Sequence, residues 1–156
     1  MILATHALGG AVIGKNINNI WLIILSAILM HFIFDSFRHG EYLQTINKKS
    51  TIGNTWWKIG LDLCSGLLII FAFILWKDPG LMKIRNILTG AFFSMFPDLL
   101  TFLYWKFNLK FLEKIYLFHS WVHQNHPRPE EREWNFRNTR NDIMISLISI
   151  TLLLFL

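Results

Sequence analysis

The sequence predicts an all-α integral membrane bundle with four to five membrane helices, one of them re-entrant, and an amphipathic helix at the interface, in a single domain over 1–156. Three observations predict it. Hydrophobic residues make up 53% of the chain and charged residues only 16%, where a soluble domain has about 45–50% and about 25%. The apolar residues fall in long blocks, more apolar surface than a core of this size hides. Trp21, Trp56, Trp57, Trp76 and Trp105 stand near the ends of those blocks, where indole rings favour a membrane–water boundary.

The first block, Ile2 to Gly14, is short of the roughly 20 residues a crossing needs and is rich in small residues (Ala4, Ala7, Gly9, Gly10, Ala11, Gly14). Small residues let helices approach closely, so a short or re-entrant helix packed against its neighbours is expected. With no basic residue ahead of it and His6 inside it, the block reads as retained and not as a signal peptide. Blocks from Ile20 to about Phe37, about Trp56 to Trp76 and about Ile84 to Trp105 are expected to span. The last, Ile143 to Leu156, is long enough for a partial crossing. Lys77-Asp78-Pro79-Gly80 is a turn signal between two spans. Leu109, Leu112, Ile115, Tyr116 and His119 recur at helical spacing among charges, which predicts an interfacial amphipathic helix over Leu109 to Val122. The segment Pro127 to Glu133 reads as a solvated connector. Cys64, the single cysteine, lies in an apolar run and is expected to be a small buried packing residue.

The net charge of +5 is spread over loops instead of forming one stripe, so no nucleic-acid partner is expected. If the last four blocks alternate across a bilayer, eleven Lys and Arg lie on one side (Arg38, Lys48, Lys49, Lys58, Lys106, Lys110, Lys114, Arg128, Arg132, Arg137, Arg140). Four lie on the other (Lys15, Lys77, Lys83, Arg85). The positive-inside tendency places the richer side in the cytoplasm of a multi-pass inner-membrane protein.

Chemistry-bearing residues gather toward that side. His31, Asp35 and His39 are four apart and would share a helix face, with the two histidines about 12 Å apart along the axis. His31 and Asp35 can therefore chelate one ion, while Asp35 bridges to a second or His39 serves as a supporting partner. Hydrogen bonding within the bundle would explain one such residue; three near hydrocarbon point to function. His119 and His123 are one turn apart, a common transition-metal chelate, and His126 would rejoin that face if the helix reached it. His6 heads the glycine-rich block. Asp98 follows Pro97 inside a span, where an unpaired carboxylate is costly. Asp62 has two readings, as a ligand or as a helix-dipole partner.

Thr5-His6 leading into Gly-rich sequence, then His31-x3-Asp35, Pro97-Asp98 and a late histidine pair, resembles the YdjM-like family of predicted membrane-bound metal-dependent hydrolases, thought to be related to all-helical zinc-dependent phospholipases C. The resemblance implies His6, His31, Asp35, Asp98, His119 and His123 as metal ligands. The late cluster here reads Phe-His-Ser-Trp-Val-His, without the family's His-Arg-Gly and Thr-His-Ser.

The expectation is a hydrolase acting on a lipid or other phosphoester or ester substrate at the cytoplasmic interface. It would hold one or two divalent ions, zinc first, with iron or manganese as alternatives. Asp98 or Asp62 would be the base, and Arg38 would contact an anionic head group. The rivals are a non-catalytic metal-binding membrane protein or transporter subunit and an iron-dependent membrane oxidase or hydroxylase. A structural protein whose histidines bind nothing is a third.

Overall fold

The computed structural model describes residues 1–40, 56–124 and 136–155. Among them are six α-helices and no strand: α1 (Leu3–Asn16), α2 (Ile20–Asp35), α3 (Trp57–Lys77), α4 (Leu81–Phe107), α5 (Glu113–Gln124) and α6 (Phe136–Phe155), with a 3-10 turn (Lys110–Leu112) before α5.

α1 is the hub. It packs against α2, α3, α4 and α6, and its residues from Ala4 to Ala11 are all buried. At 14 residues it is about 21 Å long, too short for a ~30 Å hydrocarbon layer. Glycine costs a helix about 1 kcal/mol each, and close packing explains why three are kept. A Cβ on Gly10 or Gly14 would run into the carbonyls of Gly90 and Asn86 on α4, so backbone meets backbone there. Ile2, before the first turn, has no capping side chain; the amides of Ile2, Leu3 and Ala4 are taken instead by Asp142 and Asp62 of other helices.

α2 starts at Asn19, whose side chain accepts from the amides of Trp21 and Leu22. Its buried residues are Ile23, Ala27, His31 and Asp35, one every four positions. Trp21, Leu22, Leu25, Leu29 and Ile33 face outward. The ionisable groups are inside and the leucines outside, the reverse of a water-facing helix. α3 buries only Gly66, Ile70, Phe73 and Ile74, and Cys64, expected to be buried, is exposed on its outer surface. Asp78 closes α3 in the left-handed region (φ 41) and Gly80 opens α4 (φ 79), which realises the expected turn.

α3, with 21 residues, and α4, with 27, are long and apolar enough to cross a membrane. α2 is apolar but has 16 residues. The last helix begins at Phe136, ahead of the apolar block expected from Ile143, because Asn138 and Asp142 are buried and bonded rather than solvated. The amphipathic segment becomes the 3-10 turn plus α5, with Leu112, His119 and Val122 facing inward. His126 and the Pro127–Glu133 connector lie outside the described residues.

Candidate metal centre

The imidazoles of three histidines meet at one oxygen of Asp35. Asp35 Oδ2 lies 3.0 Å from His31 Nε2, 2.9 Å from His119 Nε2 and 3.2 Å from His123 Nε2. The ring nitrogens also crowd each other, with His31 Nε2 3.2 Å and His123 Nε2 3.0 Å from His119 Nε2. The other carboxylate oxygen, Oδ1, faces His6 Nε2 at 3.1 Å and the Met1 amino group at 2.8 Å. Asp98 Oδ1 stands 3.6 Å from His119 Nε2, just beyond hydrogen-bond reach.

Each side chain is placed by an identifiable local feature. The four-residue spacing of α2 aims His31 and Asp35 the same way. On α4, the Ser94 carbonyl accepts from His31 Nδ1 at 2.8 Å and so orients the ring, one turn before the helix-internal Pro97. Thr101, one turn past Pro97, meets His119 Nδ1 at 2.6 Å. His39 departs from its expected position on the α2 face. The helix stops at Asp35, where the Ser36 amide turns back to the carbonyls of Phe32 and Ile33. The chain then brings His39 beside His123, with ring centroids 5.2 Å apart.

A carbonyl oxygen can only accept, so the contacts of His31 Nδ1 with Ser94 and of His39 Nδ1 with Phe37 (2.6 Å) put a hydrogen on each Nδ1. In the neutral rings, Nε2 is left with a lone pair. For His31 that lone pair points at a carboxylate oxygen and another imidazole, all electron-rich, and stays there only with a cation among them, either protons or a metal ion. Metal-bound histidines characteristically donate their second N–H to a carbonyl in this way. The separations also suit an ion: bonds of about 2.0–2.1 Å in a tetrahedral zinc site set ligand atoms roughly 3.3 Å apart.

Two donor groups share Asp35. His31, Asp35, Asp98 and His119 present ligand atoms all within 4.8 Å of one another, and Asp35, His39 and His123 form a second set on the same criterion. Exposure is graded across the site. His6, His31 and Asp35 are fully buried, while the side chains of His123 and Asp98 are 12% and 29% exposed. Asp98 is thus the most exposed side chain of the two groups. Burial pushes the His39 imidazole down to about 3, keeping it neutral and able to ligate.

His6 touches Asp35 and stacks on His31 at 4.3 Å, but belongs to neither group. Asp62 is also outside both; its Oδ2 accepts from Leu3 N at 2.7 Å, so it serves the dipole of α1 rather than that of its own helix. Arg38 Nε donates to Asn138 Oδ1 at 2.7 Å, and its carbonyl accepts from Asn141, which ties the end of α2 to α6. Sequence reasoning missed Asp142 and Asn138, both buried. Their signal was available: Asn138, Asp142, Ser146 and Ser149 recur at helical spacing along α6, and Ser146 meets Thr5 at 2.8 Å.

Fold and site together define an all-helical protein with two helices apolar enough to cross a membrane and a buried histidine–aspartate cluster able to hold a metal ion. No family model matches the chain, and neither does any curated protein or solved structure.

Proposed function

We propose that this protein is a multi-pass inner-membrane, metal-dependent hydrolase that cleaves a phosphoester or ester of a lipid or lipid-linked substrate at the cytoplasmic face. The observation that carries the reading is the convergence of His31, His119 and His123 Nε2 on Asp35, with the His31 tautomer fixed by the Ser94 carbonyl. Membrane residence is supported by α2, which turns its ionisable residues inward and its leucines outward. The eleven-to-four division of basic residues supports the cytoplasmic orientation, and the resemblance of Thr5-His6, His31-x3-Asp35 and Pro97-Asp98 to YdjM-like hydrolases supports the same chemistry. α1 is then a short helix enclosed by the spans, and the head of α5 lies at the interface.

His31, Asp35 and His119 would hold the first ion, with Asp98 beside them, and Asp35, His39 and His123 offer a place for a second. Zinc suits mixed imidazole and carboxylate donors at this spacing. When bound, such an ion acidifies water toward neutrality and polarises a phosphoryl or acyl oxygen. Asp98, the most exposed of these side chains, would stay off the ion and act as the base, holding a proton on its carboxylate. Burial of Asp35 and His31 excludes bulk water from the inner wall, and Arg38 stands at the site's edge to meet an anionic head group.

A non-catalytic metal site is the second reading, favoured by the near-complete burial of His6, His31, Asp35 and His119. Hydrolysis separates the two. Purified protein should cleave a phosphoester or ester substrate in detergent or liposomes, lose activity to chelators and regain it with zinc, manganese or cobalt. Stoichiometric metal without hydrolysis across phosphoester, ester and amide panels selects the non-catalytic reading, and iron with oxygen-dependent turnover selects an oxidase.

A further inference from the structure

We propose that a lysine-lined cavity at the opposite end of the bundle binds the phosphate of an anionic lipid head group. The cavity measures about 500 Å3, within the roughly 300–1,000 Å3 of small-ligand sites. Lys15 of α1, Lys77 of α3 and Lys83 of α4 line it together with the apolar Phe73, Leu154 and Phe155. Lys83 and Asp98 are fifteen positions apart on α4, about 22 Å along the helix, so the cavity is far from the metal centre.

The three ammonium groups lack a counter-charge. Among the described residues no carboxylate lies within ion-pair distance of any of them. Their partners are neutral: Lys15 Nζ donates to the Leu153 carbonyl (2.7 Å), and Lys83 Nζ to the Lys15 carbonyl (2.6 Å) and Asn18 (3.3 Å). Lys77 Nζ sits 3.9 Å from the centre of its neighbour's ring, Trp76. Lys15 is pushed below its ordinary value, first by burial and then by the charges of Lys77 and Lys83. Like charges held together by helix-end carbonyls favour a multivalent anion, and a phosphate offers several oxygens to ammonium donors. The apolar lining selects a phosphate that carries hydrocarbon. Lys77 over the Trp76 ring also matches the interfacial belt of a spanning helix. The lipid source rests on the membrane reading above; the phosphate chemistry does not.

The test uses the full chain in phosphatidylcholine nanodiscs with or without a minor share of phosphatidic acid, with retained lipid counted by native mass spectrometry. In a parallel arm, inorganic phosphate is titrated into the detergent-solubilised protein. Phosphatidic acid should be retained in preference to phosphatidylcholine. Lys77→Gln, which removes no backbone hydrogen bond, should weaken retention about fivefold, with Lys83→Gln acting in the same direction. Both should leave metal content unchanged, so failure here is distinct from failure of the metal reading. Lys106→Gln, beyond the metal centre on α4, should have no effect. Equal losses from Lys77→Gln and Lys106→Gln would reduce the effect to diffuse surface charge and overturn the site. Phosphate binding with the same lysine dependence but no lipid retention would overturn the lipid source.

Discussion

Replacing Asp35 with Asn keeps the size of the side chain and removes the charge on which both donor groups depend. Asp35 Oδ2 faces three imidazole nitrogens at 2.9–3.2 Å, and the same residue belongs to both sets of ligand atoms. Losing a partner that merely orients a ligand costs about 10–100-fold in metal affinity, so losing this ligand should cost at least about 100-fold. At a zinc concentration near 100 times the native dissociation constant, binding stabilises the native protein by about 2.7 kcal/mol. The same zinc should stabilise Asp35→Asn by only ~0.4 kcal/mol. For a chain of this size the difference corresponds to about 5–9 °C in the zinc-induced rise of Tm. Thermal melts in detergent with and without buffered zinc, checked against zinc-free helicity by circular dichroism, read it directly. An equal zinc-induced shift in both proteins would refute a centre built on Asp35.

The remaining predictions probe the supports of the site. Thr101→Val removes the hydroxyl beside His119 Nδ1 and should weaken zinc binding about 10–100-fold while the protein stays folded, as measured by competition with a chelating dye. Asp62→Asn should cost about 1 kcal/mol in stability through the weakened cap of α1 yet keep its metal; loss of turnover with metal retained would return Asp62 to the chemistry. Gly10→Ala drives a Cβ into the Gly90 carbonyl and should destabilise by at least ~1–3 kcal/mol, whereas Gly60→Ala, with open space around it, should be neutral or stabilising in the same melts. His39 titrates near 6.5 when unfolded and about 3 when folded, so the unfolded chain binds the extra proton between those values. Its contribution to stability is full above about pH 6.5 and is lost as the pH falls toward 3, with a slope of up to ~1.4 kcal/mol per unit in metal-free protein.

Much of this architecture was legible because its signals are local. Composition and block length give the helices, and the four-residue spacing of His31 with Asp35 and of His119 with His123 gives the pairs that meet. The small residues of α1 announce close packing, which Gly10 and Gly14 realise against α4. Contacts between helices were not legible. Nothing local to Asp62 says that it caps α1, because its partners are 58 and 59 positions away. Helical extrapolation misplaced His39, since a turn closed by Ser36 ends α2 first. Asp142 was overlooked because the polar start of α6 resembles a loop until the helix is seen to begin at Phe136 and to bury one face. Cys64 was assigned inward on hydrophobicity alone, a rule that fails where the outer surface is itself apolar.

The most direct measurement of the central claim is X-ray absorption at the metal edge on protein purified from zinc-supplemented culture. The spectrum should show stoichiometric metal with nitrogen and oxygen neighbours at about 2.0–2.2 Å and the outer-shell scattering of imidazole rings, both lost in His31→Ala/Asp35→Ala. Protein that carries no metal, or whose ion has sulfur neighbours at about 2.3 Å, would contradict the claim.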